Sequence, residues 1–444
     1  MEDDYAAPHL PTDIMYKIPT HISDPASLAR LASSCKFWRD LIKDPTFLDR
    51  LRRQHRDHAF TPSLLLGFFL QDKKHHIDKT RCLAPSFVPI SELSRFVGSK
   101  SARNAIEPLS LETFIPGLGA SLNLYKPFAP QDNFLVLCRQ LKVDNGQDMK
   151  DVLCVCNPLT GETFEIPHHR YVPPNHYVLF VTNDVDSYGR VSQSFQLTAI
   201  FWLKKAKSFV CVCYSSKTGT WTRAEGEPEL MPDLYLVSCS AAASGGVIHW
   251  LCGTSEQMSL THVATLHIEN MGLSYLELPP EAKRIKIPVL ANSADGGILL
   301  LFMQGLEMSL WKHTGALGSD SSSSWVLSEK IDMRSSLPQR VATLGSRAKV
   351  RLEMFGGKSG VVVLRVIGEG LFLFSLSDGS MREIDSARVT KDYFLCPYEI
   401  DWLSCLAITN LVVDGSLSQD VERKKAQDRR RTLMGMNLAT NGAS

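Results

Sequence analysis

The stretch NPLTGETFEIP, Asn157 to Pro167, closes the apolar run DVLCVCNP with polar residues, then Gly161, then Phe164 three positions later. Apolar residues on both sides of a polar, glycine-containing break read as two strands joined by a hairpin. The same signature recurs in SSKTGTW (Ser215 to Trp221), ENMGLSYLELP (Glu269 to Pro279) and SLSDGSMREI (Ser375 to Ile384). A hairpin written four times is a repeat, and a repeat decides the architecture before any single element does.

Phe164, Trp221, Tyr275, Trp325 and Met381 mark successive copies, separated by 57, 54, 50 and 56 residues. That spacing is close to the ~50 residues of kelch-type propeller blades. Short apolar or alternating runs fill the intervals: SLLLGFFL from Ser63, FLVLC, FQLTAIFWL, SFVCVCY, GGVIHWLCG, GGILLLFM, GVVVLRV and LFLFSLS. No long amphipathic helix interrupts them, which argues against βαβ units and a parallel sheet. A four-stranded blade cannot bury both faces alone, whereas blades in a ring can. About 350 residues at this period predict six to eight blades. Trp221, Tyr275 and Trp325 are then equivalent residues, with aromatic-to-alanine costs expected near those of core positions, about 3 to 5 kcal/mol. Paired β-sandwiches are the alternative, because strand signals alone fit both.

The N-terminal stretch from Pro8 to Gln54 has a different period. Leu10, Ile14 and Ile18 are four apart with Pro11 at a first-turn position, which predicts a short amphipathic helix ending near Pro19. Asp24-Pro25 then starts a second helix, whose apolar face carries Leu28, Leu31, Ala32, Cys35, Trp38 and Ile42. Asp44-Pro45 starts a third, with Phe47, Leu48 and Leu51. A unit this small buries little surface by itself, so part of its apolar face is expected to meet a partner or the rest of the chain.

Leu10-Pro11-x-Asp13, Ser27-Leu28, Cys35-Lys36-x-Trp38-Arg39-x-Leu41-Ile42 and Asp44-Pro45-x-Phe47, in this order, resemble an F-box. The chain departs from that family's pattern at Pro19, Thr20 and His21, where a leucine-rich continuation is usual. Together with NPLTGETFEIP, YSSKTGTW and GGVIHWL, the whole resembles plant F-box proteins whose associated domain is propeller-like. The resemblance implies docking on a Skp-type adaptor, and through it on a cullin, in an SCF-type (Skp–cullin–F-box) ubiquitin ligase, with the propeller holding a protein target. Carried over by motif position, Leu10, Pro11, Ile14, Ile18, Leu28, Cys35, Trp38 and Leu41 are the expected adaptor contacts, Trp38 the anchor. The alternative use of the helices is as a cap on a propeller-based ligand-binding protein or enzyme.

The expected organisation is α+β and multidomain: a disordered start (1–7), a three-helix F-box (8–58), an all-β, kelch-like propeller (59–416) and a basic disordered tail (417–444). In the tail, Arg423, Lys424, Lys425 and Arg429 to Arg431 cluster beside polar residues and could serve nuclear import. Across 444 residues the net charge is only +1, which offers no whole-chain attraction for nucleic acid or anionic membrane. No apolar run reaches eighteen residues and MEDDYAAPHL lacks a signal-peptide pattern, so a cytoplasmic or nuclear protein is expected.

Catalytic motifs fare poorly. Gly356-Gly357-Lys358-Ser359 lacks the glycine that a phosphate loop needs at position 352, occupied by Leu352, and it precedes a strand, so a hairpin turn is its expected use. Cys154-x-Cys156 and Cys211-x-Cys213 each put two thiols on one strand face, without a second pair at zinc-finger spacing, and read as core. His75-His76 and His168-His169 read as loop histidines. The expectation is therefore an interaction protein, with no catalytic residue, metal or cofactor of its own.

Overall fold

The computed structural model describes residues 12–22, 27, 28, 31, 34–44, 46, 47, 60, 61, 64–72, 84–90, 109–115, 118, 122–142, 149–169, 176–185, 191–203, 208–224, 234–254, 259–285, 288–293, 297–314, 324–343, 349–384 and 393–400. The chain divides into a helical unit containing residues 1–50 and a strand unit, Leu51–Asp401. The expected N-terminal disorder, the His75-His76 pair and the basic tail fall outside the described residues.

The strand unit opens with β1 (Leu65–Asp72), β2 (Ser86–Pro89) and β3 (Leu109–Ser110). Five four-stranded antiparallel sheets follow in chain order. They comprise β4 (Lys126–Gln131), β5 (Phe134–Lys142), β6 (Met149–Asn157) and β7 (Glu162–Ile166); then β8 (His176–Val185), β9 (Val191–Leu203), β10 (Ser208–Ser215) and β11 (Thr220–Arg223). Next come β12 (Leu234–Ser244), β13 (Val247–Thr254), β14 (Ser259–His267) and β15 (Gly272–Glu277), and β16 (Val289–Asn292), β17 (Ile298–Gln304), β18 (Glu307–Thr314) and β19 (Ser324–Asp332). β20 (Val350–Phe355), β21 (Val361–Val366), β22 (Gly370–Ser375) and β23 (Met381–Ile384) complete the series. The last strand, β24 (Tyr393–Glu399), returns to pair antiparallel with β1 and becomes the innermost strand of the first sheet. The innermost strands β24, β4, β8, β12, β16 and β20 then neighbour one another in a closed circuit. This is a six-bladed β-propeller, and the paired-sandwich alternative is set aside.

The continuous apolar runs follow from blade stacking, because each middle strand is covered on both faces. On β17, Leu299 and Leu301 face a core shared with β20 to β22, while Ile298, Leu300 and Phe302 pack with residues of β12 to β14. On β21, Val362, Leu364 and Val366 belong to the core shared with the preceding blade, whereas Val361 and Val363 pack with Leu65, Phe68 and Leu70 of β1. A strand buried on both sides loses the alternation that marks a half-solvated one. Cys154, Cys156, Cys211 and Cys213 are buried on β6 and β10, as the core reading expected. Burial pushes the Cys154 thiol up to about 11 and that of Cys211 to about 12, which keeps both protonated and unreactive.

The five marker residues all lie on outermost strands: Phe164 on β7, Trp221 on β11, Tyr275 on β15, Trp325 on β19 and Met381 on β23. The hairpin glycines Gly161, Gly219 and Gly379 share a left-handed conformation, with φ of 80°, 70° and 67°. Each donates its N–H to the carbonyl four residues back, on Asn157, Ser215 and Ser375 respectively. In ENMGLSYLELP that conformation falls on Met271 (φ 51°), one residue before the glycine that aligns by eye. All five markers are half-buried, not core, so the core-like truncation cost expected of the aromatics is corrected downward. Two of them stitch blades together: Trp221 donates its indole N–H to Pro167 O (2.6 Å) and Trp325 to Glu277 O (2.8 Å), each just beyond or at the end of the preceding outermost strand. Trp221→Phe and Trp325→Phe should therefore each cost about 0.5 to 1.5 kcal/mol, the net worth of one hydrogen bond. Urea midpoints at unchanged m check this, and unequal losses beyond experimental error would break the equivalence.

His249 on β13 is buried and shares a hydrogen bond with Thr265 Oγ1 at 2.9 Å. Burial, with smaller contributions from His267 and His313, pushes its imidazole down to about 4. The unfolded chain takes up this proton near pH 6.5, whereas the folded chain takes it up only near pH 4. Stability should thus be lost as pH falls from about 6.5 to 4, by about 3 kcal/mol at most, and be flat with respect to this group above that window. Buried His313 and partly buried His176 are shifted in the same direction. His249→Gln should flatten the acid limb of a stability-versus-pH curve measured by denaturant unfolding.

In the helical unit, one helix spans Thr12–Thr20 and includes Pro19, ending one residue beyond the proline near which its end was expected. The proline sits in the last turn, where its missing donor costs a single bond, and His21 N–H to Ile18 O and Ile22 N–H to Pro19 O close the end. The second helix, expected to run unbroken through Ile42, is interrupted. Cys35 is extended (φ −157°, ψ 166°) and caps a separate helix, Lys36–Lys43. Ser34 Oγ donates to Leu31 O at 2.7 Å, a local side-chain bond that competes with helix continuation. The Asp44 start signal is met: its carboxylate accepts from the Thr46 N–H at 2.8 Å, and Thr46 and Phe47 are helical.

Candidate functional site

Two places in the molecule present chemistry that packing alone does not use. The first is the surface of the helical unit. Ile14 and Ile18 are one turn apart, hence on one helix face, and both are exposed, at 42% and 37%. Phe37 is 39% exposed and meets the half-buried Trp38 edge to face, with ring centres 5.3 Å apart. Cys35 is exposed beside them in sequence. Leu28 and Leu41, with Ile42 and Phe47, are buried within the chain. Leu10 and Pro11 lie outside the described residues. The motif positions thus divide into groups that face outward (Ile14, Ile18, Cys35, part of Trp38) and groups that hold the helices (Leu28, Leu41). Phe37 was missed by motif matching, because its position is an unspecified one in the pattern.

The second place is a cavity of about 520 Å³ at the centre of the propeller, where the innermost strands finish. Its wall takes residues from β4, β12, β16, β20 and β24, from the turn after β4, and from the turn that joins β20 to β21. That turn is Gly356-Gly357-Lys358-Ser359, confirming its expected use as a hairpin. Gly356 N–H donates to Val361 O, and Gly360 N–H to Gly356 O. The glycines are required by close approach: a Cβ on Gly356 would lie 2.2 Å from Glu399 Oε1, and one on Gly357 would lie 2.7 Å from Asn292 O.

The turn holds an internal anion. Glu399, at the end of β24, accepts from the Ser359 N–H (2.9 Å), the Lys358 N–H (3.4 Å) and Ser359 Oγ. Lys358 extends its ammonium to the carboxylate of Asp132, in the turn between β4 and β5. One turn of the last blade therefore contacts the first and second blades across the closure of the ring. Asn292 donates to Ala243 O at 2.5 Å, while its buried Oδ1 has no hydrogen-bond partner among the described residues. Small or apolar groups complete the wall, including Ala241, Ala242, Ala291 and Phe355. The glycine-rich turn attracted notice in the sequence. Asp132, Asn292 and Glu399 did not, since they are up to 267 residues apart and only the ring brings them together.

An F-box-like segment ahead of a six-bladed propeller is the class of protein these features define. Residues 7–54 match the F-box-like family, and residues 86–410 match a family described as a domain of unknown function, DUF7595. The second match spans well over half of the chain, and the chain belongs to that family. A putative F-box/kelch-repeat protein of Arabidopsis thaliana is 22% identical over 335 residues, covering 73% of each chain. Among solved structures, the protein YjhT is similar over 73% of this chain and 98% of its own, at 11% identity and a TM-score of 0.31. A Fusarium graminearum α-L-arabinofuranosidase is similar over 60% of this chain and 82% of its own, at 12% identity and a TM-score of 0.32. Likeness at that level says nothing about activity.

Proposed function

We propose that this protein is the substrate-receptor subunit of an SCF-type ubiquitin ligase. The F-box-like helices would bind a Skp-type adaptor, and through it a cullin, while the propeller would hold a protein target. The observation that carries this reading is the pairing of an F-box-like segment with a propeller in one chain, a pairing also carried by the name of the Arabidopsis relative. In this reading Ile14, Ile18, Cys35 and Trp38, with Leu10 and Pro11, offer surface to the adaptor, and Leu28 and Leu41 keep the helices in the shape it recognises. The chain itself makes and breaks no bond. It raises the effective concentration of the target beside the charged ubiquitin-conjugating enzyme. None of the described helices is long and apolar enough to cross a membrane, and the proposed site of action is the cytoplasm or nucleus, where the ligase works.

The test is direct association. The purified chain and a purified Skp-type adaptor should co-elute as a complex in size-exclusion chromatography. Failure of the folded chain to associate at micromolar concentrations removes the ligase assignment.

A further inference from the structure

We infer that the central cavity is a cation-binding pocket that receives a basic side chain, arginine or lysine, of the target. The cavity wall carries two carboxylates, Asp132 and Glu399, and one ammonium, Lys358, leaving an excess of one negative charge. Of the wall's buried polar atoms, Lys358 Nζ is ion-paired with Asp132, while Asn292 Oδ1, an acceptor, has no hydrogen-bond partner among the described residues. A buried acceptor without a donor costs free energy, so a ligand that brings N–H groups is favoured over one that brings only acceptors. An anionic ligand would have to displace Asp132 from Lys358 and then sit beside Glu399, a like charge in a recess of reduced dielectric.

Size and shape agree. At about 520 Å³ the cavity lies within the range of small-ligand sites and admits a long side chain with its flanking backbone. Exposed Ala241 leaves the centre open where a larger residue would fill it, while Ala242 and Ala291 are buried in the cores between blades. The apolar methyl groups suit the stem of an arginine or lysine, and the carboxylates its head. The walls are also rigid: five of the contributing segments are innermost strands, and the glycine turn is locked on Glu399. A site on fixed elements spends little of its binding free energy on ordering itself. The statement that the ligand belongs to a target protein rests on the receptor reading, whereas the preference for a cation rests on the cavity alone.

Fluorescence anisotropy with the full chain separates these statements. Three fluorescein-labelled peptides of the form Gly-Gly-X-Gly-Gly, with X arginine, norleucine or glutamate, are titrated at low salt, and spermidine is tested as a competitor. The arginine peptide should bind saturably and at least tenfold more tightly than the other two. Ala241→Trp, which fills the cavity while replacing none of its polar residues, should abolish that binding while leaving the circular dichroism spectrum and the urea midpoint in place. Glu399→Gln should weaken it about tenfold. Equal binding of the glutamate peptide, survival of arginine binding in Ala241→Trp, or no binding of any peptide overturns the proposal. Displacement of the arginine peptide by micromolar spermidine would keep the cation site and overturn the target side chain as its occupant. None of these outcomes depends on adaptor association, so failure here and failure of the ligase assignment are distinguishable.

Discussion

Truncation after Asp392 should leave a chain that no longer unfolds with the cooperativity of the full chain. The shorter chain lacks β24, whose seven residues form the inner strand of the first blade. Its loss frees the inner edge of β1 and strips the cover from Phe69 and Phe87, both buried and packed edge to face against Tyr398 with ring centres 5.5 and 6.2 Å away. It also removes Glu399 from the glycine turn and the Ile400 N–H from Leu64 O. An exposed sheet edge beside uncovered aromatics is an aggregation site, so the shorter fragment should be recovered mainly as aggregate.

A point substitution measures the same closure more finely. Tyr398 is fully buried and its hydroxyl donates to Asn133 O at 2.8 Å, joining the first blade to the second. Tyr398→Ala should cost about 3 to 5 kcal/mol, a large share of the 5 to 15 kcal/mol that typically separates folded from unfolded states. Tyr398→Phe keeps the ring and removes only the bond, and should cost about 1 kcal/mol. Chemical denaturation of the two variants decides the point. A loss in Tyr398→Ala no larger than in Tyr398→Phe would mean that the ring is not held closed by this aromatic.

Trp38→Ala should weaken adaptor binding by roughly thirtyfold to a thousandfold, the 2 to 4 kcal/mol typical of a central interface aromatic. The residue is half-buried, with Phe37 packed against its ring, so the indole has surface left to give to a partner. Phe37→Ala should cost less, about tenfold or under, since it loses a neighbour of the proposed anchor rather than that residue itself. Titration calorimetry of both variants against the adaptor, with circular dichroism to check the helices, reads these differences. Binding by a folded Trp38→Ala within a factor of two of the parent would remove Trp38 from the interface.

Middle strands were the legible part of this fold. The runs FLVLC, DVLCVCNP, SFVCVCY, GVVVLRV and LFLFSLS all lie on second or third strands of their blades, where both faces are covered and apolar residues accumulate. Innermost and outermost strands were poorly legible. KPFAPQ of β4 contains two prolines, and SWVLSEKID of β19 is mostly exposed, so neither announces itself by hydrophobicity. The hairpin repeat compensated, because its turn geometry is local: a left-handed residue and an N–H bonded four positions back are set by neighbouring residues. The break in the second helix was missed for an equally local reason. Ser34 acts through a single bond whose outcome periodicity does not encode.

By itself, the sequence determined the all-β repeat, the F-box-like segment and the use of Gly356 to Ser359 as a turn, since each depends on contacts within a few residues or on a strictly spaced motif. Only the tertiary structure decided the blade number, the closure of the ring by β24 and the cavity formed by Asp132, Asn292, Lys358 and Glu399. Those features depend on pairing between segments hundreds of residues apart, β24 with β1 above all. Backbone pairing of that kind is open to many sequences, and which edge a strand finally meets is settled by how six blades of this size pack around a common centre.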